Sequence, residues 1–454
     1  MKRLVLPLVL IATFTCIGGR PTLGQEAEER QSPRERLQEQ RSDVERSQED
    51  VRHQDTGPQE ERLRQAGTPG QRPRVGRLKR QHLRGYFAVS PLRDATPETM
   101  RAAIATAATT TIPLFNYTIV GYDGNTYSGS MVGRSPFAHG ARTTNVHLFL
   151  IPIIFHMPDG GTFDPTAADS CAAGKTDLSL VQGSPLLAPT DFVMNGVDVG
   201  TAQYVDAFQR ANFWTNVSPT GTRYHTVLSP VTVLSAVSVT VPTSMGQTWA
   251  SSQFGGCGNL GVVDLHYWDP SLIGGTGNGE AGTILTSLAS QGVGPTNLPI
   301  LLTSNVVFAD SGTNPTVNCC ALGYHGSIGP VATLQTYSPL DFDTTGLFPP
   351  GNSSIMSHEV AEWMDDPVGI NAVPVWGAEG QVPAGSCQNN LEVGDPLSGT
   401  AFPAVTQNGF TYAFQELAFF SWFYGGTSFG SGGKYSNNGT FTGFALACPP
   451  GGTH

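Results

Sequence analysis

Residues 357–367 read Ser-His-Glu-Val-Ala-Glu-Trp-Met-Asp-Asp-Pro. Histidine and carboxylates are metal-binding side chains, and here they recur at helical spacing. On a helix, His358 and Glu362 lie four apart and project from one face, as two ligands of one ion would. Glu359 stands one residue round, where it can polarise a water held by that ion. The pattern is His-Glu-x-x-Glu, the His-Glu-x-x-His zinc arrangement with glutamate as the second ligand. A histidine with glutamate at both +1 and +4 arises by chance in roughly one chain in a hundred of this composition. Acid is also concentrated here. After residue 85 the chain has seven glutamates, and four of them, 359, 362, 379 and 392, lie in this one region. The bland alternative is a solvated helix face beside an apolar stripe of Ile355, Ala361 and Trp363.

A hydrolytic zinc needs three protein ligands and one open position. Glu392 is the expected third ligand and Asp395 the alternative, both on the separate segment 389–396. Asp366 or Asp395 can hold the other ring nitrogen of His358. Glu359 is then the general base, taking the proton of the attacking water. His325 is the candidate to stabilise the oxyanion, with His266 and Tyr412 as alternatives. One histidine with two carboxylates is a hard, anionic ligand set. Zn²⁺ therefore competes with Mn²⁺ or Ca²⁺, and a catalytic ion with a structural one.

The chain has 454 residues and a formal charge of −11. Residues 1–85 carry 17 Lys and Arg against 12 Asp and Glu, and the remainder 8 against 24. An acidic main body argues against nucleic acid or an anionic membrane as partner. Lys2 and Arg3 precede an apolar run from Leu4 to Ile17, so residues 1–24 read as an export signal. Lipid anchoring through Cys16 is the minor alternative. No other run is long enough to span a membrane. Six cysteines remain, 171, 257, 319, 320, 387 and 448, which in an exported chain implies up to three disulfides. Adjacent Cys319 and Cys320 are not expected to pair with each other.

Residues 25–84 are Glu, Arg and Gln with few large apolar side chains, a disordered linker or pro-segment closed by a basic cluster at 72–80. Residues 85–454 then form a single domain. Its site helix spans about 353–366, capped by Ser353 or Ser354 and stopped by Pro367. Thr96–Ile104 and the stretch from Gln203 to Trp214, capped by Thr201, read as further helices, and Gly282–Ser290 as another. Phe115–Val120 and Thr126–Val132 flank Asp123-Gly124 as a hairpin. Val146–Phe155 and Leu298–Phe308 suit buried strands, although Pro152 weakens the first. Thr226–Val241 alternates as strands, and Val331–Tyr337 reads as another. The aromatic end, Phe410–Gln415 and Phe419–Tyr424, is expected in the core. The fold class is α+β, a mixed β-rich sheet with a zincin-like site helix.

His358-Glu359-Val360-Ala361-Glu362 with Asp365-Asp366 resembles the active helix of gluzincin metallopeptidases. That resemblance implies His358 as ligand, Glu359 as base and Glu392 as downstream ligand, with Glu362 standing where the family has histidine. The same helix, its following Asp366-Pro367, and Glu392-Val393-Gly394-Asp395 resemble the secreted phosphate-induced (Exordium-like) proteins and their bacterial relatives. So do Tyr324-His325 after Cys320 and the run Gly409–Gln415. These likenesses imply a secreted protein with a zincin-like site. The expected function is a secreted metal-dependent hydrolase, a peptidase acting on peptide or another extracellular substrate. The alternative is a non-catalytic extracellular or cell-surface binding protein with a structural or vestigial metal site.

Overall fold

Within Thr143–His156 and Asn297–Ser304, the runs Val146–Phe155 and Leu298–Leu302 are apolar at nearly every position, which suits strands covered on both faces. The computed structural model bears this out and describes residues 83, 85–90, 95–106, 111–139, 141–221, 223–316, 319–377 and 387–444. The export signal, the charged segment up to residue 82, Cys16, Glu379 and Cys448 lie outside the described residues. All described residues belong to one compact unit.

An eleven-stranded mixed sheet forms its centre. Its strands are β1 (Tyr86–Ser90), β2 (Thr143–His156), β3 (Thr162–Phe163), β4 (His225–Val233), β5 (Val237–Thr240), β6 (Gly246–Ala250), β7 (Asn259–Asp264), β8 (Asn297–Ser304), β9 (Val306–Ala309), β10 (Ala321–Ile328) and β11 (Gln335–Phe342). The spatial order is β6–β7–β9–β10–β11–β8–β2–β3. β1 joins β10 in parallel, and β4 and β5 both join β2 in parallel. With helices on the sheet and four separate two-stranded ribbons, the fold is α+β.

β2 shows how the sheet is buried. Val146, Leu148 and Leu150 enter one core, while Phe149, Ile151, Ile153 and Phe155 enter another on the opposite face. This is the period-2 alternation of a strand, apolar on both sides. Pro152 is tolerated because of where it falls. On one edge β4 pairs as far as Leu150 and β5 takes over at Ile153, so the missing N–H lies in the gap between the two partners.

The helices read from sequence form at Pro97–Thr106, Tyr204–Asn212 and Gly279–Ser287. The Leu114–Val120 and Thr126–Val132 hairpin also forms. Two expectations shift. Val331–Thr333 is a 3-10 turn, and the strand begins at Gln335. Thr201 does not cap the helix at 204, because its hydroxyl is engaged by the Asp191 carboxylate. Phe414, Phe419, Phe420 and Phe423 are fully buried, so the aromatic end belongs to the core. Cys171 and Cys257 form a disulfide, and Cys387 is disulfide-bonded too. Among the described residues no helix is long and apolar enough to cross a membrane.

Candidate metal centre

The site helix runs Ser354–Asp365, and every residue in it is buried. It lies against β10, β11, the Phe410–Gln415 strand and the Tyr204–Asn212 helix. A glycine permits that closeness. A Cβ at Gly323 on β10 would lie 2.9 Å from Ile355 Cγ2 and 3.2 Å from Glu359 Cγ. Met356, Val360, Trp363 and Met364 anchor the helix in the larger core. Ser353 precedes the helix, but its hydroxyl makes no bond to it, and Ser354 lies inside it. The expected serine cap is therefore not made. Asn352 Oδ1 accepts from Ser353 N–H at 2.5 Å and from Ala413 N–H at 2.9 Å, tying the helix start to the neighbouring strand. The helix ends as expected, with Asp366 leaving helical geometry before Pro367.

His358 is held from behind. Its Nδ1 lies 3.1 Å from Gln415 Oε1, and Gln415 Nε2 donates to the Gly394 carbonyl at 2.6 Å. A carbonyl can only accept, so the amide must turn its oxygen to the imidazole, and Nδ1 must be the donor. In the neutral ring, Nε2 then carries the lone pair, the tautomer a metal ligand requires. Gly394 makes room for the ring, since a Cβ there would sit 2.5 Å from Nδ1. Nε2 lies 3.0 Å from Glu362 Oε1 and 3.6 Å from Asp395 Oδ1. Both oxygens are near enough to attract charge, yet neither lies in line for a hydrogen bond, and Nε2 is buried without one. His358, Glu362 and Asp395 each present one ligand atom within 4.8 Å of the others, a span that one ion bridges at ordinary ligand distances.

A second group, His325, Glu359 and Glu362, adjoins the first and shares Glu362 with it. His325 stands on β10. Its Nε2 lies 3.0 Å from the Asp366 carbonyl oxygen, and its Nδ1 lies 3.0 Å from Glu359 Oε2. Nε2 must therefore carry a hydrogen, and a further proton must sit between Nδ1 and Oε2. Burial disfavours the imidazolium. The Glu359 hydrogen bond and the charges of Glu359, Glu362 and Asp366 outweigh that, so the His325 pKa is raised. Burial and the Glu362 charge push Glu359 up to about 7, although His325 works against them. A carboxyl poised there suits proton transfer near neutrality. Glu359 Oε1 is buried and makes no hydrogen bond.

The surrounding charge is unbalanced. Burial raises Glu392 well above the carboxylate range, and Glu362, Asp366 and Asp395 add to the rise. Asp395 is raised by burial despite its contact with His358. Glu362 stays low, because His358 and His325 outweigh its burial. For His358 itself burial opposes the charged form, but Glu362 and Asp395 hold its pKa well above that of a free imidazole. A proton on Nε2 or a divalent cation answers the same local excess of negative charge. The orphaned Nε2 and the crowded carboxylates fit such an ion. A cavity of about 180 Å³ adjoins this site, lined by Phe87, Val89, Glu362, Gln388, Glu392 and Asp395 among others. A larger cavity of about 530 Å³ lies among Ile112, Phe115, Arg134 and Thr144, with no histidine or carboxylate in its lining.

His358, Glu359 and Glu362 thus stand together on the helix, with Asp395 completing the group around Nε2. Glu392 lines the cavity beside Glu362, but stands outside both groups of three. The Asp366 carboxylate accepts from the Ile370 and Asn371 N–H groups and does not hold His358. Gln415 fills that orienting role. The sequence offered one faint sign of it, a lone amide ending an aromatic strand. His325 has both ring nitrogens engaged, which makes it the partner of Glu359 rather than a free donor to an oxyanion. His266 pairs with Asp264, and the Tyr412 hydroxyl donates to the Leu180 carbonyl. Comparison with protein-family models, curated proteins and solved structures finds no match for this chain.

Proposed function

We propose that this protein is an exported, metal-dependent hydrolase of the zincin type, cleaving peptide or a related carbonyl substrate, with Zn²⁺ as its ion. The observation carrying the reading is His358 Nε2, buried without a hydrogen bond and flanked by the Glu362 and Asp395 carboxylates. His358, Glu362 and Asp395 hold the ion, with Glu392 beside them as a proton-bearing neighbour. The ion, when bound, polarises the substrate carbonyl and acidifies the water that attacks it. Glu359 receives the water's proton on its unengaged Oε1. The His325–Glu359 pair, already holding one mobile proton, delivers a proton to the leaving nitrogen as the C–N bond breaks. Export is supported by the N-terminal basic and apolar run and by the Cys171–Cys257 disulfide.

The test pairs elemental analysis with two substitutions. Wild-type protein should carry one equivalent of zinc and His358→Ala none. Glu359→Gln should keep the ion and lose hydrolysis by about 10²- to 10⁴-fold. No bound metal in the wild type after reloading would sink the mechanism. A second reading, an extracellular binding protein with a structural ion, is favoured by one observation. His358 and Glu359 are fully buried, with the Phe87 ring stacked on the imidazole. Metal retention with no turnover in the wild type would select it.

A further inference from the structure

A hydrolytic centre must admit a substrate, and this one is covered by the chain's own strand β1. β1 runs parallel to β10, with Phe87 opposite Gly323, Val89 opposite His325 and Ser90 opposite Gly326. β9 meets that edge of β10 only at Phe308↔Ala321, and β11 occupies the other edge. The rest of the edge, through His325, belongs to β1. Alternation then gives β1 two faces. Tyr86 and Ala88 pack toward the core beneath the sheet. Phe87 turns to the site helix, its ring 3.6 Å from that of His358 and inclined by 15°. Phe87, Ala88 and Val89 close the cavity that Glu362, Glu392 and Asp395 line. The strand is only half-buried from Tyr86 to Val89, unlike β8 and β11, which are buried throughout.

Backbone pairing to a sheet edge, with alternate side chains in pockets, is how a protein takes up an extended peptide. Resting on the hydrolase reading, we propose that the β10 edge beside His325 and His358 is a groove for an extended polypeptide. It accepts an added strand with an aromatic or large apolar side chain over His358. In the uncut chain, Tyr86–Ser90 is the occupant of that groove. The substrate class is accordingly an extended polypeptide rather than a small ester or amide. The charged stretch before residue 85 is then the lead-in to a strand that blocks the site.

The test uses the full chain with residues 91–94 replaced by the recognition sequence of a site-specific endopeptidase, folded first and then cut. The probe is a fluorescent peptide with the sequence of Gly85–Ser90, added in excess. The cut protein should bind it and the uncut protein should not. A probe with alanine at the Phe87 position should bind about tenfold more weakly. Phe87→Ala in the uncut chain is a second route. It loosens the strand without a cut and should give measurable probe binding. The proposal is overturned if the cut protein keeps its near-ultraviolet circular dichroism yet binds no probe. It is equally overturned if the Phe87→Ala chain binds no more than the wild type. Metal content and turnover are measured in parallel. Probe binding without metal or turnover leaves the groove standing and removes the hydrolase. Equal turnover before and after cutting, with metal bound, leaves the hydrolase standing and removes the groove.

Discussion

Gln415 illustrates how one side chain governs another at this site. It turns its oxygen to His358 because the Gly394 carbonyl claims its N–H, and the tautomer of His358 follows. Gln415→Leu should therefore weaken metal binding about 10- to 100-fold, the usual cost of losing such a partner, with the three ligand side chains still present. Competition with a graded series of chelators would read this. Unchanged affinity would mean that packing against Phe87, not Gln415, orients the imidazole. Glu359 and His325 form the other functional pair. Their shared proton answers a chemical need, since the Asp366 carbonyl and the Glu359 carboxylate can each only accept unless protonated.

At the scale of the element, the site helix owes its position to packing and to a neighbour rather than to its own cap. Ser353 stands at the N-terminal position where a serine ordinarily contributes about 1 kcal/mol, yet its hydroxyl is unbonded. Ser353→Ala should leave the urea midpoint of unfolding nearly unchanged. Asn352→Ala should lower it by the equivalent of about 1–2 kcal/mol. That amide accepts from Ser353 and Ala413 and donates to the Thr411 carbonyl, so it ties the helix start to the strand that carries Gln415. A large loss in Ser353→Ala would show that the hydroxyl caps the helix in solution. The same link makes the strand and the helix one mechanical unit. Loosening Asn352 should also lower metal affinity, because Gln415 and His358 come from its two halves.

Across the molecule, buried carboxyls set how stability depends on pH. Asp177 is raised from 3.8 to about 7 by burial, with the Ser304 hydroxyl opposing and the Asp169 and Asp343 charges adding. Burial raises Asp343 to about 6, and Asp341 lies well above the carboxylate range for the same reason. A raised folded-state pKa means that the folded chain keeps a proton the unfolded chain has lost. Its contribution is fully present below pH 3.8 and is lost as pH rises through about 7. Asp177→Asn removes that titration. Relative to wild type, the variant should gain stability steadily between pH 4 and pH 7, read as a difference in urea midpoints. Parallel curves for the two proteins would refute the assignment.

What the sequence determined by itself is what depends on neighbours a few residues away. The site helix, its stop at Pro367, the hairpin around Asp123-Gly124 and the two-faced strands follow from periods of 3.6 and 2 and from proline and glycine geometry. The pairing of His358 with Glu362 was legible for that reason, because four residues on a helix fix a common face. Only the tertiary structure decided the partners brought in from afar. His325 and Glu359 are 34 residues apart and His358 and Gln415 are 57 apart, and no periodicity encodes such a meeting. Glu392 was the expected third ligand from the sequence and Asp395 the alternative, and the fold reverses that order. The bend at Gly394 separates them, directing Asp395 at Nε2 and leaving Glu392 in the cavity lining. The covering of His358 by Phe87 was equally hidden. A five-residue strand carries its local propensity in its sequence, but the edge it joins is set by which edge the rest of the sheet leaves free.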